Sequence, residues 1–412
     1  MQSLFSRSRG VLVASLSVAA LSAQAQSGAI TTITTAVPIL TLAPDSRAAA
    51  LGEAGVATSP DANGAYFNAG KLGFVPTKFA FSPSYAPWLR NVTDDMGLAY
   101  LSGYGKVGTR SALGVSLMYF DLGEIEYRTA QNQANGMFNP KEYAITVSYG
   151  QKLTDNFGVG VSARYVRSNL TGTATGNDPR PGNAAAVDLG AYYNKDATIG
   201  TGLYNLGFGL SILNIGNKIT YTDATNPSFL PTTLKLGTAL TREIDQYNKI
   251  TLAFDATKLL VPSPYYENEV LPAGPALLEQ QARIRARNEE IAQKSIVNGI
   301  FSSFSDAQGG FKEEMREINL STGLEYTYND LLMARVGYFY EHPTKGDRQY
   351  VSLGLGVRFN VFGIDGAYLV PNSRANPLAQ TIRVSLHFNF NKLAEAFDEN
   401  GAGGTSGDVP TN

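Results

Sequence analysis

From residue 78 onward the chain repeats one pattern, in which apolar side chains alternate with small or polar ones and turn-forming residues interrupt. In KEYAITVSYG, Tyr143, Ile145, Val147 and Tyr149 share one face, and Ala144, Thr146, Ser148 and Gly150 share the other. TIRVSLHFNF sets Ile382, Val384, Leu386, Phe388 and Phe390 against Arg383, Ser385, His387 and Asn389. YVSLGLGVRF does the same with Val351, Leu353, Leu355 and Val357 opposite Ser352, Gly354, Gly356 and Arg358. Successive side chains point to opposite faces of a strand, so each segment reads as a strand with two unlike faces. Fourteen such strands are predicted, near 78–86, 95–106, 109–121, 141–152, 156–168, 184–194, 202–214, 232–243, 248–258, 317–328, 331–341, 348–359, 362–370 and 379–390.

The connections decide what these strands build. KVGT, KLTD, NKDATIG, TREIDQYNK, TYNDL and NVF are short, whereas the intervening connections include residues 122–140, 169–183, 215–231 and 259–316. Outer-membrane barrels have short periplasmic turns, long external loops and an even strand count. A soluble sandwich has no reason to segregate its loops by length. Tyr85, Trp88, Tyr119, Phe120, Tyr338 and Tyr340 lie near strand ends, where interfacial aromatic girdles form. Past the first 25 residues no stretch approaches eighteen apolar residues, so a membrane helix is excluded and a closed barrel is the other way to satisfy the backbone in lipid. The predicted fold is all-β, a 14-stranded antiparallel transmembrane β-barrel over residues 77–390.

The N-terminus carries a processing pattern. Arg7 and Arg9 precede an apolar run from Val11 to Leu21, and Ala23-Gln24-Ala25 forms an A-x-A cleavage site, so residues 1–25 read as a signal peptide. Residues 42–74, LAPDSRAAALGEAGVATSPDANGAYFNAGKLGF, then mix charges with Ala and Gly and follow neither strand nor sustained helix periodicity. A fourteen-stranded barrel encloses more space than its wall side chains fill. A segment folded inside would meet a polar wall, where charges pair and small residues pack closely. Residues 26–76 are therefore expected to form a hatch in the lumen, with Asp45, Arg47, Gly52, Gly55, Asp61 and Asn68 as its characteristic residues. Asp45 or Ser46 is expected to cap a short helix that stops at Gly52, and Ser59 to cap a second helix with Pro60 in its first turn.

The 259–316 connection is the largest. Pro262, Pro264, Pro272 and Pro275 stiffen its lead-in, and residues 276–301 read as one helix with Glu279–Arg283 and Glu290–Lys294 pairs and Gly299 as its stop. Its partial apolar stripe suits packing over the barrel mouth or docking of a partner. On the same side, Trp88, Leu89, Arg90, Glu124, Tyr127 and Arg128 are candidate extracellular partner contacts, with Trp88 the strongest anchor. Residues 391–412, Gly-rich and polar, read as a flexible periplasmic tail.

Composition removes several functions. The 33 basic and 35 acidic residues nearly cancel, which argues against nucleic acid as a partner. There is no Cys, and His342 and His387 are far apart, so thiolate and histidine metal sites and His-based triads are not expected. GVGVS and LGLGV are strand faces with no helix following, not phosphate loops. No catalytic residue, metal site or cofactor is expected.

At three places the sequence is familiar. APDSRAAALGEAGVATSPDANGAYFNAGKLGF, YAPWLRNVTDDMGLAY and FDLGEIEYR together resemble the PorV family, outer-membrane proteins of the Bacteroidetes type IX secretion system within the wider FadL-like barrel group. Asn68-Ala69-Gly70 stands where that group usually shows Asn-Pro-Ala. The resemblance implies a non-enzymatic protein of the outer membrane, surrounded by its lipid. It also implies three protein partners: the secretion translocon, cargo proteins with a conserved C-terminal signal domain, and a surface attachment complex that includes a sortase-like peptidase. The FadL-like group leaves a second possibility, an importer of hydrophobic small molecules, which requires an apolar pocket leading to a gap in the wall.

Overall fold

Two-faced strands close the chain on itself. The computed structural model describes residues 31–89, 93–128, 132–170, 181–221, 227–269, 271–372 and 381–390. Its strands are β1 (Phe79–Pro87), β2 (Met96–Lys106), β3 (Ser111–Leu122), β4 (Ile125–Arg128), β5 (Ala134–Phe138), β6 (Lys141–Lys152), β7 (Phe157–Asn169) and β8 (Gly182–Ile199). There follow β9 (Gly202–Gly216), β10 (Thr233–Glu243), β11 (Asn248–Leu259), β12 (Ile318–Tyr328), β13 (Leu332–Tyr340), β14 (Gln349–Phe359), β15 (Phe362–Pro371) and β16 (Ile382–Asn389). All but β4 and β5 form one closed antiparallel barrel of fourteen strands in chain order, with β16 returning to β1.

Each expected strand is present with boundaries shifted by a few residues. Two connections differ. The 122–140 loop carries its own two-stranded hairpin, β4–β5, separate from the barrel. The expected turn NKDATIG is mostly strand, because β8 keeps pairing with β9 as far as Ile199↔Gly202, with Asn194 and Asn205 exchanging side-chain hydrogen bonds of 2.8 and 3.0 Å.

The alternation sorts side chains as lipid requires. On β6, Ile145 and Val147 are exposed while Ala144, Thr146 and Ser148 are buried; on β16, Val384 and Leu386 are exposed while Arg383, Ser385 and His387 are buried. Exposed apolar and buried polar positions invert the arrangement of a soluble sheet and match a wall bathed in hydrocarbon. Among the described residues no helix is long and apolar enough to cross a membrane.

Residues 31–76 pack against the inward faces. They contain 3-10 turns at Pro38–Thr41 and Ala69–Phe74 and two short helices, α1 (Ser46–Ala50) and α2 (Gly64–Phe67). Helix α1 forms as expected: the Asp45 carboxylate accepts from the Ala48 N–H at 2.9 Å, and Gly52 leaves the helix at φ +64°. The second helix does not start at Ser59. The Ser59 carbonyl and hydroxyl are turned to the Arg47 guanidinium (3.1 and 2.7 Å) and not to a following helix, and α2 begins at Gly64.

The large insert holds α3 (Pro275–Gln293), α4 (Ile296–Ser302) and α5 (Phe311–Arg316). The single expected helix is broken at Lys294, because the Lys218 ammonium donates to the Ala292 and Lys294 carbonyls at 2.5 Å each and so satisfies the end of α3. Ser295 then caps α4, accepting from the Asn298 N–H at 3.2 Å. Gly299 is therefore interior to α4, buried against Phe229 and Pro262, and is not a stop. Arg283 pairs with Glu267 at 3.2 Å, and Lys294 approaches Asp306 at 3.8 Å; neither pairs along the helix as expected.

Candidate functional site

The interior is built from inward-facing charges that the wall supplies and the N-terminal segment completes. Arg47, on α1, reaches Glu325 of β12 through two hydrogen bonds (2.9 and 3.1 Å) and Asp61 through a third (2.9 Å). Glu325 also accepts from Arg335 of β13 at 2.6 Å, and Arg335 donates to Asp365 of β15 at 2.9 Å. Asp365 receives Arg358 at 2.6 Å and lies 2.7 Å from His387 Nε2. The result is a continuous chain from Asp61 through Arg47, Glu325, Arg335 and Asp365 to Arg358, nearly all of it out of water. Charges removed from water need such alternation, since each unpaired ion carries its full desolvation cost.

Other wall groups hold the segment's backbone. Asp255 of β11 accepts the Gly55 and Val56 N–H groups at 2.7 and 2.9 Å. Ser352 accepts the Gly52 N–H at 3.1 Å, and Ser385 accepts that of Ser46 at 2.9 Å. Asn68 donates to the Ala191 carbonyl of β8 at 2.8 Å while its own oxygen caps Gly70 at 3.0 Å. On the wall side, a Cβ at Gly160 would overlap the Ala69 backbone and one at Gly337 would overlap Gly52. These strand glycines are absent side chains through which the segment touches the sheet. Gly55 is confined likewise, with the Phe67 ring 2.7 Å from where its Cβ would stand. All six residues singled out as characteristic of the segment thus make contacts inside the barrel.

At the long-loop end a second charge cluster fastens the insert. Lys258 pairs with Glu314 (2.9 Å) and Glu317 (2.7 Å), and Lys345 with Glu313 (2.6 Å) and Glu317 (3.0 Å). Thr31 donates to Glu313 at 3.2 Å, so the same carboxylate ties in the start of the N-terminal segment. Burial alone would raise the Glu313 carboxyl, but the Lys345 ammonium, the Gly309 N–H and the Tyr266 hydroxyl hold it below the usual carboxylate range. Beneath lies a cavity of about 660 Å³, apolar on the side of Ile39, Leu42, Trp88 and Phe339 and charged at Glu53, Lys235 and Arg348.

The candidate rim residues do not gather into one surface. Trp88 is half-buried, its indole edge-on to Phe120 at 5.8 Å and lining the cavity, so it faces the lumen instead of standing free in a loop. Leu89 turns the chain at φ +50°, and Arg90 lies outside the described residues. Glu124 is exposed, and its N–H donates to Asp95 at 2.7 Å, which ties the β4–β5 hairpin to the β1–β2 loop. On that hairpin Tyr127 stacks on Phe138 at 6.1 Å and the exposed Arg128 pairs with Glu126 at 2.7 Å. Glu325, Arg335, Asp365, Asp255, Lys258 and Lys345 were not anticipated. Their signal was available for the strand residues: a charge on the non-apolar face of a strand points into the lumen. The signal at residues 1–25 and the tail at 391–412 also fall outside the described residues.

The closed wall, its outward apolar band and its charge-filled interior define the class: a transmembrane β-barrel. Solved structures similar to it include the Pseudomonas putida toluene transporter TodX (12% identity, 88% of this chain and 100% of that one, TM-score 0.48). Others are a Pseudomonas aeruginosa FadL homologue (12%, 88% and 100%, 0.42) and the Ralstonia pickettii toluene transporter TbuX (12%, 84% and 96%, 0.41). A comparison with curated protein sequences gives no match. The family described as "Type IX secretion system protein PorV" matches residues 23–266, more than half of the chain, and the chain belongs to that family.

Proposed function

We propose that the protein is a carrier of the type IX secretion system that binds the translocon, accepts cargo proteins by their C-terminal signal domains and delivers them to the surface attachment complex with its sortase-like peptidase. Membership of the family supplies the type IX outer-membrane role. The observation that carries the finer reading is the buried chain from Asp61 to Arg358, which anchors the N-terminal hatch across the lumen. A lumen so occupied offers no passage for a folded protein, so cargo must be met at the rim, where the long loops stand. With short turns in the periplasm, those loops face the outside. The 26–76 hatch, the periplasmic 391–412 tail and the exposed Glu124 and Arg128 as contacts belong to this proposal. Its test is deletion of the gene in the native bacterium, followed by mass spectrometry of surface, medium and periplasmic proteins. Proteins sharing a C-terminal domain leave the surface and accumulate inside; an unchanged distribution refutes the carrier.

The apolar side of the 660 Å³ cavity favours a second reading, import of hydrophobic small molecules. Against it, neighbouring strands are paired around the wall, and where β1 and β16 skip Ser82–Pro83, a Ser84–Ser385 hydrogen bond of 2.7 Å and Phe81–Phe388 stacking at 4.5 Å close the seam. A hydrocarbon bound stoichiometrically to the purified protein, with cargo export intact in the deletion strain, reverses the order of the two.

A further inference from the structure

The insert carries apolar side chains that no described residue covers. Val297, Phe301 and Phe304 recur at i, i+4 and i+7 along and just past α4, and Phe311 and Met315 at i and i+4 on α5. Phe311 is 80% exposed and Phe301 73%, more than any large apolar residue of the lipid-facing wall. The opposite side of the same helices is fixed: Gly299 and Ser303 are buried, and Glu313 and Glu314 reach the wall and mouth lysines. The apolar stripe is thereby held turned away from the lumen. Only Glu317 separates α5 from β12, whose outward Leu320 and Leu324 belong to the lipid-facing band, so the stripe continues that band past the strand end.

We propose that α4 and α5 form an interfacial anchor, seated in the outer leaflet beside the barrel, with the phenylalanines among acyl chains and Lys312 and Arg316 against lipid phosphate. Charge favours a lipid surface over a protein one. From residue 295 to 316 the acidic groups are Asp306, close to Lys294, and the inward Glu313 and Glu314, which leaves Lys312 and Arg316 as the charges beside the stripe. Aromatic groups flanked by cations suit the boundary between acyl chains and anionic head groups. An exposed apolar patch of this kind in water marks an interaction surface. The anchor fixes the tilt and height of the long-loop rim relative to the membrane, and it holds whether or not the rim carries cargo.

The chain's one Trp makes the test direct. In a Trp88→Phe background of the full-length protein, single Trp residues are placed at Phe301 or Phe311, at Leu324 as the lipid-facing control and at Gln281 as the water-facing control. All four are reconstituted in vesicles with and without brominated phospholipid, and only variants that keep the heat-sensitive gel mobility of a folded barrel are scored. Seating in the leaflet quenches Trp at 301 and 311 about twofold, as at 324, and leaves 281 bright. Water-like emission at both, matching 281 while 324 is quenched, overturns the anchor; so does burial that develops only when translocon is added, which assigns the stripe to a protein. In vesicles of anionic phospholipid, Lys312→Glu with Arg316→Glu lowers the quenching relative to zwitterionic ones. Equal quenching in both overturns the phosphate contact.

Discussion

Replacing Glu325 by Gln removes the carboxylate that accepts from Arg47 at 2.9 and 3.1 Å and from Arg335 at 2.6 Å. Breaking a buried ion pair costs about 3–5 kcal/mol, because the abandoned partner keeps its desolvation penalty without compensation. Here Arg47 retains Asp61 at 2.9 Å and Arg335 retains Asp365 at 2.9 Å, so the expected loss is at the low end, about 3 kcal/mol. That loss is local. Wall strands keep their backbone ladders, whereas residues 45–61 lose the side-chain link between α1 and β12. Released segments open below the global unfolding free energy. Glu325→Gln should therefore keep the folded barrel's gel mobility, yet become cleavable by trypsin at Arg47 and pass ions in a planar bilayer. A double-mutant cycle with Arg47→Gln should return a coupling energy of about 1–3 kcal/mol. A variant as trypsin-resistant and electrically silent as the parent, with zero coupling, refutes the claim that these charges lock the segment.

Three further outcomes follow from the geometry. Gly337→Ala places a methyl group against the Gly52 backbone and Gly160→Ala one against Ala69, each costing about 1–3 kcal/mol of overpacking; a lowered denaturation midpoint in detergent checks both. Asp255→Leu orphans the Gly55 and Val56 N–H groups at a cost of about 1–3 kcal/mol for each donor, read as faster hydrogen exchange at residues 55–58 than at 45–50. The Glu313 carboxyl is held below its ordinary 4.5, so its tie to Lys345 contributes fully above that value and is lost as pH falls through its lower folded value. A nitroxide at Lys312, specific because the chain has no other cysteine, should be rigid at pH 7 and gain mobility below pH 4.5, and Glu313→Gln should be mobile at both.

The strands were legible because their determinant is local: alternation within KEYAITVSYG or TIRVSLHFNF assigns each side chain to lipid or lumen before any partner is known. Helix α1 was legible for the same reason, since its cap and its stop, Asp45 and Gly52, lie within one short segment. The partners of those residues were not. Arg47 meets Glu325 from 278 positions away, and nothing near either residue names the other. Only closure of the sheet brings inward positions of β12, β13 and β15 around one axis, and only then does a row of isolated polar-face charges become a chain of ion pairs. The same closure explains the misreadings. Ser59 has the form of a cap but is turned to Arg47, the long loop helix has the form of one helix but is ended by Lys218, and Trp88 has the form of a free loop anchor but packs on Phe120 inside the mouth. Periodicity acts over neighbouring residues and is written in the chain; electrostatic pairing and steric contact act through space and exist only once the barrel has closed.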